Sequence, residues 1–191
     1  MNRRRIHALL VAASAISLTI NLHAAPPNFA GVWKEDMTLS RELTESRGHT
    51  WTVAGAGAGG ATARKPADDA NVPTRVVTIT QSPTEIVFDS LLIDYKTRAA
   101  FKLDGSETVN ITSITTERSR SEWKGDRLVT TGTQFLELNT GDIVRTFERT
   151  RYIAPNGHMH VETVTKEKGR PDRIQFTVLV RQKPAPALTR K

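Results

Sequence analysis

Three arginines recur at alternate positions in Ile143–Ile153, and two histidines flank a methionine at 158–160. These are the side chains whose types and spacing could do chemistry. In an extended chain, successive side chains point to opposite faces. Ile143, Arg145, Phe147, Arg149, Arg151 and Ile153 therefore share one face, and Val144, Thr146, Glu148, Thr150 and Tyr152 the other. Turned into a lumen, the arginine face would suit a carboxylate or phosphate carried on an apolar body. Turned to solvent, the arginines lie along the outside of a strand on their aliphatic stems. Burying guanidiniums without partners is costly, so the outward orientation is the expected one. The face with Tyr152 and the small threonines is then the expected lumen wall.

His158 and His160 stand at i and i+2, on one face of a strand, and could begin a metal site with Glu162 or His49 as a third ligand. They directly follow the turn residues Asn156-Gly157, where exposed polar side chains are ordinary. No metal and no cofactor is expected. The chain has no cysteine nucleophile, no Gly-x-Ser-x-Gly and no His-Glu-x-x-His. Asp94, Tyr95, Asp104, Glu107 and Glu117 are common strand and turn residues that nothing in the sequence pairs. An enzyme would need Asp94, Glu107, Glu148 or His160 turned inward beside another titratable group, and the expectation leans away from catalysis. Gly55-Ala56-Gly57-Ala58-Gly59-Gly60 lacks the Gly-Lys-Ser/Thr continuation of a phosphate cradle. Asn110-Ile111-Thr112 is a formal glycosylation sequon.

The elements that must position these residues read as strands. Val76-Val77-Thr78-Ile79-Thr80 and Thr84-Glu85-Ile86-Val87-Phe88 are β-branched runs around Gln81-Ser82-Pro83, a hairpin signal. Turns at Asp104-Gly105, Lys124-Gly125-Asp126, Asn139-Thr140-Gly141-Asp142, Asn156-Gly157 and Gly169-Arg170-Pro171-Asp172 punctuate the rest. No room is left for the crossover helices that a parallel sheet needs. The fold class is all-β. The simplest arrangement is a single antiparallel up-and-down barrel of about 8–10 strands, with a short helix or turn-rich crossing at 37–47. A β-sandwich is the alternative.

Residues 1–24 read as a signal peptide, with Arg3, Arg4 and Arg5 before a diluted apolar run and Ala24 before the expected cut. The run is too short and polar for a good membrane span, so a periplasmic or secreted product with no stable membrane anchor is expected. Removing these residues takes three arginines and no acids, leaving 167 residues and a formal charge of +4. That is one domain, 25–183, large enough to need no disulfide staples. It carries a Gly-rich loop at 52–74 with little to bury and a basic tail at 184–191. Its charges are interspersed, which argues against a nucleic-acid partner. Nothing in the sequence sets the oligomeric state.

Gly31-x-Trp33 in the first strand and Arg181 in the last resemble the lipocalin-like barrels of the calycin type. A closer resemblance is to small exported bacterial proteins of uncharacterised function. These run Gly-x-Trp, then a turn like Leu103-Asp104-Gly105-Ser106-Glu107, then a hairpin like Trp123-Lys124-Gly125-Asp126-Arg127-Leu128. The resemblance implies that Gly31, Trp33 and Arg181 close the barrel floor, with the Trp33 ring against the guanidinium. It also implies a cavity for a small, mainly apolar molecule. The expected ligand-binding side chains are Trp33, Trp123, Tyr152 and Phe147. A solid barrel that contacts a partner remains the alternative.

Overall fold

The computed structural model of the protein describes residues 25–50, 74–112, 115–138 and 141–183. The expected signal peptide at 1–24, the expected tail at 184–191 and the expected Gly-rich loop at 52–74, except for Thr74, lie outside the described residues. Short turns reverse the chain again and again, as the Gly-containing turns require. The elements are β1 (Gly31–Glu35), α1 (Met37–Ser46), β2 (Val76–Gln81), β3 (Glu85–Leu92), β4 (Tyr95–Lys102), β5 (Glu107–Ile111), β6 (Thr115–Lys124), β7 (Arg127–Leu136), β8 (Ile143–Ile153), β9 (Met159–Glu167) and β10 (Arg173–Arg181).

All ten strands form one antiparallel sheet, in the order β4-β3-β2-β1-β10-β9-β8-β7-β6-β5. The chain is therefore an up-and-down barrel, as the turns and alternation imply, and not a sandwich. Its two terminal strands meet in a ladder that pairs Trp33 with Arg181. The seam between β4 and β5 is closed differently, by side chains. The Asn110 amide accepts from Ala100 N at 2.9 Å and donates to Ala100 O at 3.0 Å. Lys102 N donates to the Thr108 hydroxyl at 3.2 Å.

The helix starts where β1 stops. Asp36 caps it by accepting from Leu39 N at 2.9 Å, the usual way to satisfy an orphan first-turn amide. The β1–β10 ladder ends at Glu35 and Leu179. Beyond it, Asp36 N donates to Val178 O at 2.9 Å, and Val178 N donates to the buried Ser40 hydroxyl at 2.8 Å. The hydroxyl thus extends the ladder by one rung and docks α1 on β10. Among the described residues no helix is long and apolar enough to cross a membrane.

One end of the barrel is packed solid. Phe29, Trp33, Ile79, Ile86, Phe101, Leu128 and Met159 are buried there, with Trp123 and Ile153 against them. The Trp33 indole N–H donates to Phe29 O at 2.8 Å. The Arg181 guanidinium carbon stands 4.5 Å from the Trp33 ring centroid and its Nη2 donates to Asn28 O at 2.8 Å. The Phe29 and Trp123 rings meet edge-on at 5.2 Å. Gly31 has a φ of 135°, which only glycine adopts freely. Its identity is fixed by this backbone turn into β1.

Candidate functional site

Above the packed floor the lumen opens into a cavity of about 660 Å³, within the range of small-molecule sites. The registers of β6 to β9 stack its inner wall in rows. Glu117, Gln134, Arg145 and Glu167 form the row nearest the mouth. Ser119, Gly132, Phe147 and Thr165 form the next, Ser121, Thr130, Arg149 and Thr163 the third, and Trp123, Leu128, Arg151 and Val161 the one against the floor. The row against the floor is otherwise apolar, so Arg151 carries its charge among Trp123, Leu128 and Val161.

The arginine face of β8 therefore points inward, and the expected outward orientation is corrected. Arg145, Arg149 and Arg151 line the cavity, joined by Arg75 from the residue before β2. Neighbouring strands supply what makes this tolerable. Arg75 pairs with Glu35 at 3.2 Å, Arg145 with Glu167 at 2.7 Å and Arg149 with Glu117 at 3.7 Å. Gln134 Nε2 donates to Glu117 Oε2 at 3.0 Å, and Arg170 at the mouth also reaches Glu167, at 2.9 Å.

Arg151 differs from the other three. It is 6% exposed, and among the described residues no carboxylate lies within ion-pair distance. Its contacts are the Thr130 hydroxyl at 3.1 Å and the faces of Phe88 and Phe101, with centroids 4.5 and 5.3 Å from the guanidinium carbon. Burial, reinforced by the positive charges of Arg149 and Arg75, holds its pKa well below the ordinary arginine value, with Glu117 opposing. Burial also lowers that of Arg149, again against Glu117. Val77, Phe88, Phe101, Val161 and Leu179 supply the apolar part of the lining.

The expected ligand-binding side chains separate. Trp33 and Trp123 belong to the floor. Phe147 is buried on the inner face, with the Arg149 guanidinium 4.9 Å from its centroid. Tyr152 lies on the outer wall, away from the cavity. There Arg127 covers its ring at 4.3 Å and the His160 ring meets it at 5.4 Å.

His160 is on the outer wall too, where burial, then His158 and Arg47, lower its pKa. Among the described residues no group of three metal-ligating side chains gathers around this pair. Asp94, Glu107 and Glu148 are exposed.

Sequence reasoning missed Arg75, Glu117, Glu167, Phe88 and Phe101 as chamber residues. A signal existed for Glu117, which shares the Ser119-Ser121-Trp123 face of β6 and so points the same way as a large apolar ring.

No family model and no curated protein matches the chain. Solved structures with a similar chain path include two proteins named for fatty acid transport and lipid binding. The REP1-NXSQ fatty acid transporter is 12% identical, with 81% of this chain and 96% of that one covered and a TM-score of 0.46. The apo form of lipid binding protein 8 from Caenorhabditis elegans is 11% identical, with 83% and 100% covered and a TM-score of 0.47. At those values the chamber has to be understood from its own residues.

Proposed function

We propose that the protein is an exported binding barrel for a small amphiphile with an apolar body and an anionic head. The observation that carries this is Arg151, a buried lumen cation with no carboxylate partner among the described residues, while the other β8 arginines and Arg75 each have a glutamate. A carboxylate or phosphate reaching Arg151 and Arg149 would gain charge-assisted hydrogen bonds to guanidiniums turned into the lumen. The apolar body would rest on Val77, Phe88, Phe101, Val161 and Leu179. Six arginines line the cavity against Glu117 and Glu167 in its wall and Glu35 behind Arg75, so the chamber carries a surplus of positive charge, with Arg151 its deepest cation.

The test is displacement of the fluorophore anilinonaphthalene sulfonate by a medium-chain carboxylic acid and by its methyl ester. Charge-assisted hydrogen bonds contribute about 1.5–3 kcal/mol, so the acid should displace the probe at roughly ten- to hundredfold lower concentration. Equal potency of acid and ester would sink the anionic head. Failure of both would sink the cavity as a binding site. Export rests on the basic and apolar character of residues 1–24. It predicts a mature protein beginning at Ala25, which cell fractionation and intact mass would check.

A further inference from the structure

Ten large apolar side chains are exposed among the described residues, and all but Val32 lie within two residues of a mouth-side strand end. They gather at two places on the rim. On one side, the register sets Ile111, Thr116, Phe135 and Val144 in a single row across the outer wall of β5 to β8. Leu138, just beyond β7, is exposed as well. Next to this row, across the β4–β5 seam, the β3–β4 hairpin thrusts out Leu91, Leu92, Ile93 and Tyr95, beyond the cavity-lining Ser90 and Thr97.

Ile93 is the most informative of these. It forms the hairpin tip at 67% exposure with a φ of 56°. A β-branched residue is strained in that backbone region, which glycine or asparagine occupies freely. The two-residue hairpin loop requires the positive φ, but not an exposed, β-branched apolar residue there. Such a combination marks a contact made outside the chain. Across the mouth, the β9–β10 connection carries Lys166, Lys168, Arg170 and Arg173 against only Glu167 and Asp172.

We propose that this lip docks the barrel mouth-down on an anionic lipid bilayer. The hairpin tip and the outer row enter the interface, and the basic β9–β10 side meets the headgroups. A rim of separated apolar tips around an opening matches a broad soft surface better than the groove of a folded partner. Tyrosine beside aliphatic side chains suits the polar–apolar boundary of a membrane, and exposed lysine and arginine add attraction to acidic lipid. The purpose of the docking rests on the proposed function, because it sets the mouth over a source of amphiphiles. The docking itself is testable with no cavity ligand.

The protein has no cysteine, so single reporters are clean. In the full chain, Asp94→Cys at the hairpin tip and Asn156→Cys at the closed end would each carry a polarity-sensitive fluorophore. Vesicles of phosphatidylcholine and phosphatidylglycerol should blue-shift the label at position 94 and leave that at 156 unchanged. Adding Ile93→Asn, which also relieves the backbone strain, should weaken this response about tenfold without lowering the melting temperature. Arg151→Met should leave the response unchanged, which separates docking from cavity binding. The proposal is overturned if label 94 ignores vesicles, if label 156 responds as strongly, or if Ile93→Asn responds like the parent. A shift at position 94 that follows protein concentration without vesicles would assign the lip to a second copy and likewise overturn it.

Discussion

Two guanidiniums in this barrel lie over aromatic rings at the same 4.5 Å, Arg181 over Trp33 and Arg151 over Phe88. Their surroundings differ. Arg181 is exposed and keeps most of its hydration while its Nη2 donates to Asn28 O. It gains ring attraction at little desolvation cost, and its contact closes the floor. Arg151 is buried, and its ring contacts and one hydroxyl do not replace the water it has lost. The same contact therefore stabilises at one end and accompanies stored cost at the other. A partner anion would recover that cost, so geometry alone does not separate a structural arginine from a binding one.

The comparison can be broken first at the floor. Trp33→Ala removes a fully buried ring and should destabilise the fold by about 3–5 kcal/mol in chemical denaturation. A loss under 1 kcal/mol would mean that the floor is not the foundation described. Arg151→Met should act in the opposite sense, with stability unchanged or raised by about 1–3 kcal/mol. At the same time it should lower affinity for a carboxylic acid roughly ten- to hundredfold. A variant both less stable and equally good at binding would reverse the roles given to the two arginines.

Arg181→Met should cost only about 0.5–1 kcal/mol, the scale of an exposed cation–π contact, and leave acid binding alone. The smallest effect lies on the outer wall. His160 has a folded-state pKa below the unfolded value of about 6.5. The unfolded chain thus takes up the proton more readily, and stability falls as pH drops below 6.5 toward the folded value. Thermal melts of His160→Gln should show a shallower decline over that window.

Much of the fold was legible because local chemistry dictates it. The Gly-bearing turns set the reversals, and a short helix or turn-rich crossing was expected at 37–47, though its Asp36 cap was not recognised. The floor was also legible through Gly31, Trp33 and Arg181, residues of constrained type at the two ends of the sheet. The chamber was not. Alternation in β8 defines two faces but does not say which is inner, and the desolvation argument treated the arginines one at a time. Glu35, Glu117 and Glu167 sit on three other strands, and only the registers bring them to Arg75, Arg149 and Arg145. Phe147 and Ile153 on the arginine face, against exposed Glu148 on the other, were the local hint of its direction.

The seam held by Asn110 and Thr108 also bears on how the chain assembles. Every ladder joins strands consecutive in sequence except β1–β10, where contacts span as many as 153 residues. Cut at Asp104-Gly105 and spliced between the neighbouring segments around Asn28 and Gln182, the same strands would read as one uninterrupted meander from β5 through β10 and β1 to β4. Such a circular permutant gives up no backbone ladder and turns the most distant pairing into a hairpin. Its mean contact separation falls, so it should refold faster than the parent in stopped-flow mixing while reaching the same barrel.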